Sequence, residues 1–474
     1  MIFTSYVYIA FLAAVFLLHW TMPAAWRKAF LVLASYLFYC TWKWQFGFLL
    51  LGLSLFDWAY GRWVLPKASS RLALTLGIAA NLSALLYFKY TNFILVNVAA
   101  AVQLFGGAWH PSVNDIILPL GISFFTFQGI AYLFDVATGE PPLTRLLDFL
   151  LFKALWPQLI AGPIVRVDEM RGQIERDRTI GYADFSAGAQ RIVFGFFKKI
   201  VLADNLAPFV DMVFSSNSAP NMLDVAVGML GFGLQIYFDF SAYSDIAIGS
   251  ARLFGFVLPE NFNWPYLATS PRDFWNRWHM TLSRWIRDYL FTPLTFAARR
   301  RPRLAPVWLL VAMALCGLWH GAQWTFVVWG LWHGALLVLN QTALRRVFPP
   351  VRASDVLPRW QRWLGGFLTF ALVQAGWVVF RARSLSQAGV MLASILTLRG
   401  GLRPAIVREN IVLLIAVLLI GLLLAGGLRR LKPRLDTARY QPWMAALRPI
   451  AYVAMIVAIV VFDEESQAFV YFQF

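Results

Sequence analysis

Two histidines in an apolar segment are the residues of this chain whose type and spacing most favour chemistry. The hexapeptide Gly-Leu-Trp-His-Gly-Ala occurs twice, at 317–322 and at 330–335, within residues 304–340, which contain no Asp, Glu, Lys or Arg. A titratable imidazole is costly in hydrocarbon, so His320 and His333 are candidates for function. Burial favours the neutral ring, which can take a proton from a hydroxyl as a general base. For each histidine the alternative is packing, with a hydrogen bond across a helix interface.

The length of this segment favours His320 over His333. In one continuous helix, residues 304–340 would extend over roughly 55 Å, well beyond a hydrocarbon core of about 30 Å. The helix must therefore break, and Gly317 and Gly321 bracket the position where a break is easiest. We expect His320 at the apex of a hairpin, where non-helical backbone is tolerated if it lines a cavity enclosed by protein. His333 would have only the second helix around it, so we interpret it as a packing residue.

Three residues close to His320 in the sequence are part of the same hypothesis. Trp319 and Trp324 are predicted to form the walls of the cavity and to contact substrate. Cys316 lies four residues before His320 and would share its face of an unbroken helix, which leaves a Cys–His nucleophile pair as an alternative to a buried cysteine that only packs. The two cysteines, Cys40 and Cys316, have no metal-ligand spacing, so we predict no metal site.

A second candidate segment, residues 270–289 (SPRDFWNRWHMTLSRWIRDY), is predicted to form one amphipathic helix. Ser270 can cap it, Pro271 suits its first position, and Asp273 lies near the positive end of the helix dipole. His279 falls on the aromatic face, and both packing and function are open for it. The polar face carries three basic side chains, Arg277, Arg284 and Arg287. They meet lipid phosphates or form a docking face for an anionic cofactor or an acidic carrier domain, and the sequence does not separate these alternatives.

The composition indicates whether the chain folds in water or in a lipid bilayer. Hydrophobic residues make up 59% of it, charged residues 14%, and the mean hydropathy is +0.62, which is typical of a polytopic membrane protein. We predict one all-α domain over residues 1–474, with about ten to twelve transmembrane helices plus re-entrant and interfacial helices. The apolar runs at 72–88 and 94–104 are two of the predicted spans.

The basic residues follow the positive-inside rule rather than a nucleic-acid surface. The net charge is +17, but the Lys and Arg residues lie in short loops between apolar runs. We therefore expect no nucleic-acid partner. Clusters at 27–28, 299–303, 345–346 and 429–434 would be cytoplasmic. Because the first of these follows the first apolar run, the N-terminus would lie outside.

Two aspartates in the apolar segment 235–266 require polar partners. Asp239 and Asp245 can orient a catalytic imidazole or belong to a polar network that holds the fold. We favour the network, because two carboxylates without a fixed partner identify no reaction. Asp57 is a similar intramembrane group, and we assign it no chemistry.

Several segments of the chain resemble those of the membrane-bound O-acyltransferase family. They are LPLGISFFTFQ (118–128), PQLIAGPIVR (157–166), QIYFDFSAYSD (235–245), LPENFNWPY (258–266), FWNRWHMTLSRWIRDYL (274–290), GLWHGAQWTFVVWG (317–330) and FVYFQF (469–474). The resemblance extends in order over nearly the whole chain. It implies a catalytic histidine at His320, a second functional histidine at His279 and a central funnel across the membrane. Cys316 stands where we expect a glycine pair before Leu-Trp-His, which makes close helix approach there less certain.

The resemblance also implies reactants and partners. The donor would be a cytoplasmic acyl thioester, acetyl-CoA or a similar molecule, which is a co-substrate rather than a tightly bound cofactor. His320 would take the proton of the attacking hydroxyl, and His279 would orient a substrate group or polarise the carbonyl; an acyl-imidazole is the less favoured route. The acceptor would be an exopolysaccharide such as alginate or cellulose. Expected partners are membrane lipid and a periplasmic acetyltransferase or other proteins of polysaccharide synthesis.

Two functions of other classes share these features. A transporter or flippase for a lipid-linked or anionic sugar would also be polytopic, with a deep histidine and a basic cytoplasmic face. A noncatalytic scaffold of a polysaccharide export complex would tolerate replacement of both histidines.

Overall fold

The structure is a computed structural model. It describes residues 3–67, 71–113, 115–215, 221–342, 358–401 and 441–463 and the positions 411, 414–416, 418–421 and 469. These residues form helices and turns without a β-strand, which confirms the all-α prediction. The basic clusters predicted at 345–346 and 429–434 lie outside the described residues.

The helices of the first part of the chain are α1 (Tyr6–Thr21), α2 (Ala24–Cys40), α3 (Gln45–Ala59), α4 (Arg71–Leu85), α5 (Thr91–Leu104), α6 (Ile122–Ala137), α7 (Leu146–Ala154), α8 (Trp156–Leu159), α9 (Val167–Glu175), α10 (Tyr182–Phe196) and α11 (Asp204–Ser215). Those of the second part are α12 (Met222–Leu253), α13 (Pro271–Trp275), α14 (Met280–Trp285), α15 (Thr292–Ala297), α16 (Ala305–His320), α17 (Trp324–Gln341), α18 (Arg359–Arg381), α19 (Leu385–Leu396) and α20 (Gln441–Val461). Wider π-helical turns occur at Tyr60–Val64, Leu86–Tyr90, Phe197–Ala203 and Ile286–Phe291.

By their internal contacts the residues fall into two compact units. The first unit is Met1–Ile192 with Tyr243–Pro259, and the second unit is Val193–Ala242 with Glu260–Phe474. Both candidate histidines, His279 and His320, belong to the second unit. The description of the chain as one domain stays a prediction.

Among the described residues, four helical runs are long and apolar enough to cross a membrane. They are Arg71–Leu104, Met222–Leu253, Pro302–His320 and Trp360–Arg381. The predicted spans at 72–88 and 94–104 are wrong as separate elements, because the π-helical turn Leu86–Tyr90 joins them into one 34-residue run. Shorter apolar helices include α1, α6 and α19. The number of ten to twelve crossings stays a prediction.

The long apolar segment breaks where its glycines predict. Helix α16 ends at His320, Gly321 has an extended backbone with φ −159°, and α17 begins at Trp324. A Cβ at Gly321 would overlap the ring of Phe326, so the turn folds directly onto the next helix. The prediction of a broken helix with His320 at its end is therefore confirmed.

The repeated hexapeptide packs the two helices of this hairpin backbone to backbone. A Cβ on Gly317 would overlap the carbonyl oxygen of Phe326 and lie 3.1 Å from the amide nitrogen of Gly330. A Cβ on Gly330 would in turn overlap the carbonyl oxygen of Met313. The first glycine of each repeat thus faces the other helix, and the close approach that Cys316 placed in doubt is made by Gly317 itself.

Replacement of Gly317 by alanine is expected to destabilise the protein by about 1–3 kcal/mol, because the added methyl group meets rigid backbone and the two helices must separate. The measurement is the thermal unfolding midpoint of the purified protein in detergent. Gly389→Ala in α19 is the matched control, since a Cβ there has no atom within 4 Å. Equal midpoints for the two variants would contradict the backbone contact.

A buried ion pair holds the first unit together. Lys153 on α7 donates to the Oδ2 atom of Asp57 on α3, and both side chains are fully buried. The side-chain amide of Asn81 on α4 donates to the Oδ1 atom of Asp57 at 2.6 Å. Gly129 on α6 leaves the space for this group, because a Cβ there would lie 2.7 Å from Asn81 Oδ1 and 2.9 Å from Lys153 Nζ. Asp57 therefore connects three helices, and α6 packs against the group that they form.

Candidate active site

His320 lies at the C-terminal end of α16, inside a cage of aromatic rings. Its side chain is 5% exposed. The centre of its ring lies 4.9 Å from that of Trp319, 5.1 Å from that of Trp329 and 5.6 Å from that of Phe380. The last carbonyl groups of a helix carry partial negative charge, which stabilises an imidazolium at this position. The site therefore suits an imidazole that takes up a proton during a reaction.

His279 is fully buried, and its backbone is left-handed. Its φ of 41° is rare for a residue with a side chain. The prediction of one helix over 270–289 is wrong here, because α13 ends at Trp275 and α14 begins only at Met280. The predicted start is confirmed, since the Ser270 hydroxyl accepts from the amide of Asp273. His279 thus lies in a turn between two short helices.

Two backbone hydrogen bonds hold that turn against the preceding loop. The amide of Met280 donates to the carbonyl of Asn261 at 2.9 Å, and the amide of Asn263 donates to the carbonyl of Arg277 at 2.8 Å. Strained backbone of this kind persists only where the surrounding structure fixes it, and it concentrates at functional sites. The segments LPENFNWPY and FWNRWHMTLSRWIRDYL are therefore parts of one local structure.

Trp319 connects the two candidate histidines. The centre of the His279 ring lies 6.3 Å from that of Trp319, which in turn lies next to His320. On its other side the His279 ring packs edge-on against Phe240 of α12 at 4.7 Å. Both imidazoles are therefore buried beside the same indole, in the same unit of the structure.

His333 packs in an aromatic cluster beyond His320. Trp329 lies between the two histidines, and its ring centre is 5.0 Å from that of His333. Phe274 stacks on the other face of His333 at 5.9 Å, and Trp275 approaches it edge-on at 5.3 Å. These contacts fit the interpretation of His333 as a packing residue of the hairpin.

The structure does not bring the other predicted contact residues together. Trp324 begins α17 with 55% of its surface exposed, whereas Trp319 is buried. Arg277 donates to the carboxylate of Asp273 at 2.7 Å, Arg284 is half-buried on α14, and Arg287 is exposed and pairs with its neighbour Asp288. The arginines therefore do not form one uniform anion-binding face, and a role for each in substrate binding stays a prediction.

The two aspartates of the QIYFDFSAYSD segment take part in ion pairs, as the network interpretation predicts. Asp239 accepts from Lys199 Nζ at 2.8 Å, and Asp204 accepts from the same ammonium group at 2.6 Å. Asp245 accepts from Arg191 at 2.9 Å. Of the terminal FVYFQF segment only Phe469 is described, and its ring centre lies 4.6 Å from Lys199 Nζ.

Cys316 is buried in α16, one residue before the glycine contact. Within the described residues, no group of three or more His, Cys, Asp or Glu side chains has the arrangement of a metal site. The groups that the structure brings together at this site are two imidazoles among aromatic rings.

Comparison with known proteins places these residues in a family. Residues 140–374, which include His279 and His320, match the model of the membrane-bound O-acyltransferase family. The chain is 40% identical to a probable alginate O-acetylase of Azotobacter vinelandii, over 83% of this chain and 78% of that protein. The chain belongs to the membrane-bound O-acyltransferase family. It is therefore an acyltransferase, and its apolar helices make it a membrane protein.

Two further relatives of this acyltransferase carry other activities in their names. It is 36% identical to a peptidoglycan O-acetyltransferase of Helicobacter pylori, over 79% of this chain and 74% of that protein. It is 30% identical to a teichoic acid D-alanyltransferase of Bacillus subtilis, over 58% of this chain and 71% of that protein. The family likeness thus extends across relatives that differ in the acyl group and in the polymer they are named for.

Sequence reasoning missed two sets of residues around this site. Trp329 and Phe380 complete the cage of His320, but nothing in an apolar run distinguishes such rings from ordinary core residues. Asn261 contacts His279 from the loop before α13. The sequence does contain a signal for Asn261, because a polar amide in the family-like segment LPENFNWPY must find hydrogen-bond partners if it is buried.

Proposed function

We propose that this acyltransferase transfers an acetyl group from a thioester donor to a hydroxyl of an exopolysaccharide such as alginate or cellulose. The observation that carries the proposal is the pair of buried imidazoles, His279 and His320, which both lie next to Trp319. The names of the relatives support an acyl group of small size and a polymeric acceptor.

In this mechanism His320 is the general base. Its ring accepts the proton of the attacking hydroxyl while the oxygen forms a bond to the acyl carbon and the carbon–sulfur bond of the thioester breaks. The C-terminal end of α16 stabilises the imidazolium that forms. The thiolate then takes this proton, so the histidine returns to its neutral state. His279 acts on a substrate group beside the reacting carbonyl, and Trp319 separates the two rings and excludes water.

The charge distribution supports an orientation for this reaction. Basic clusters between apolar runs favour a cytoplasmic location, so the N-terminus lies in the periplasm of the bacterial inner membrane. The donor, acetyl-CoA or a similar thioester, reaches the site from the cytoplasm through a central funnel, past Arg277, Arg284 and Arg287. The acceptor and a partner acetyltransferase or polysaccharide-synthesis protein lie on the periplasmic side. The acyl group thus crosses the membrane while the sugar does not.

An assay with acetyl-labelled donor tests this function. Purified protein in lipid vesicles is given labelled acetyl-CoA and an alginate or cellulose oligosaccharide. It is expected to release free thiol and to transfer the label to the sugar, or to water as labelled acetate. Vesicles without protein are the control. If the protein moves the oligosaccharide across the vesicle membrane and leaves the thioester intact, it is a transporter and the proposal is wrong.

A further inference from the structure

The side-chain oxygen of Asn261 accepts three hydrogen bonds in the turn that carries His279. The backbone amide of Thr281 donates to it at 3.2 Å, the Thr281 hydroxyl donates at 2.9 Å, and Nδ1 of His279 lies 3.1 Å from it. Asn261, Thr281 and His279 are all buried. This oxygen is therefore the centre of a small polar group in apolar surroundings.

The backbone amide of Thr281 identifies the proton on His279. An amide N–H can only donate, so the atom of Asn261 that it meets is the carbonyl oxygen and not the nitrogen. An oxygen without a hydrogen can only accept, so Nδ1 of His279 must carry a hydrogen and donate it. In a neutral imidazole the other nitrogen, Nε2, is then an acceptor.

Burial indicates that the ring is neutral. Among the described residues, the His279 ring contacts the amide of Asn261 and the rings of Phe240 and Trp319, and none of these groups is charged. A buried imidazolium requires a carboxylate or similar partner, which these neighbours do not supply. Nε2 is buried and has no hydrogen-bond partner among the described residues. It is therefore a lone pair available to a ligand that donates.

We propose that Asn261 is a positioning residue that holds His279 in the Nδ1–H tautomer, so that Nε2 accepts a hydrogen bond from a second hydroxyl of the acceptor sugar, next to the hydroxyl that attacks. This inference rests on the proposed acyl transfer and decides between two roles for His279. In this tautomer Nε2 has no hydrogen to give to the thioester carbonyl, so His279 orients the acceptor sugar through its second hydroxyl and does not polarise the carbonyl. His320 still removes the proton, and the thiolate still receives it.

Substitutions at Asn261 test the role through catalysis. Asn261→Leu removes the acceptor and permits the Nε2–H tautomer, so acetyl transfer is expected to fall by about 10²-fold. Asn261→Asp keeps an acceptor but stabilises the imidazolium, so the variant is expected to be active at high pH, with the acidic limb of its pH profile moved upward by about one unit or more. Thr281→Val is the matched control, because it removes one hydroxyl from the same oxygen and leaves the bond to His279, and it is expected to retain most of the activity. A folded Asn261→Leu protein of wild-type activity, or an unchanged pH profile for Asn261→Asp, would overturn the proposal.

Nitrogen-15 spectra of the five histidines test the tautomer without an assay of activity. The protein is labelled at the imidazole nitrogens, and the His279 signals are identified by their loss in His279→Gln. We expect Nδ1 to be protonated and Nε2 not, and the reverse pattern in Asn261→Leu. A wild-type Nε2–H tautomer would refute the role of Asn261 even if acyl transfer is observed. An Nδ1–H tautomer in a protein that leaves thioesters intact would support the hydrogen bond and reject the acyl-transfer function alone.

Discussion

Acetyl transfer by His320→Ala is expected to be at least about 10³-fold slower than by the wild-type protein, because general-base catalysis contributes on the order of 10²–10⁴-fold and no other group on α16 can replace the ring. The measurement is the release of free thiol and the labelling of oligosaccharide in lipid vesicles. Elution of the detergent-solubilised variant as a single peak in size-exclusion chromatography shows that it is folded.

His333→Gln provides the matched control from the second copy of the hexapeptide. His333 is as buried as His320 but lies among packing aromatics, so its replacement should lower stability while each folded molecule keeps its turnover. His320→Gln, which fills most of the aromatic cage, should be as inactive as His320→Ala. Wild-type turnover of either His320 variant would exclude His320 as the base.

Breaking the buried pair of Asp57 and Lys153 is expected to destabilise the protein by about 3–5 kcal/mol, because either single replacement leaves one charge without its partner in a fully buried position. Asp57→Asn and Lys153→Met are the two single variants. The double variant removes both charges and keeps a group at position 57 that can bond to Asn81, so it should recover much of the loss. The measurement is the thermal midpoint in detergent.

Asp184→Asn is the control, because it removes one partner of a solvent-exposed ion pair in the same unit. Asp184 pairs with Arg252 at 2.7 Å, and each side chain is 36% exposed, so the expected loss is at most about 1 kcal/mol. If Asp57→Asn lowers the thermal midpoint no more than Asp184→Asn does, then Lys153 is not the buried, paired charge that the structure shows.

Local rules predicted the features of the site that depend on neighbouring residues in the chain. The break after His320 follows from the length of the apolar run and from Gly321, and the start of α13 follows from the capping chemistry of Ser270 and Asp273. The preference for His320 over His333 as the functional histidine rests on the same considerations and stays a prediction. These inferences required no knowledge of distant contacts.

Features that depend on distant contacts were not predictable. The helical periodicity of residues 270–289 is genuine, and its aromatic face is buried, yet the loop at Asn261 and Asn263 competes for the backbone and turns His279 into the left-handed region. Trp324 was predicted as a wall of a buried cavity because it is close to His320 in the sequence, but more than half of its surface is exposed. Lys199 could not be assigned to Asp239, because 40 residues separate them along the chain.

The contact between Gly317 and Gly330 has a consequence for how the enzyme moves. Where two helix backbones are in direct contact, no side chain lies between them that could change its rotamer and let the helices shift. His320 is therefore attached to a closely packed part of the hairpin. Reactants must therefore be admitted by displacement of the neighbouring segments. In the proposed mechanism the imidazole of His320 therefore keeps a fixed position while the segments around it move.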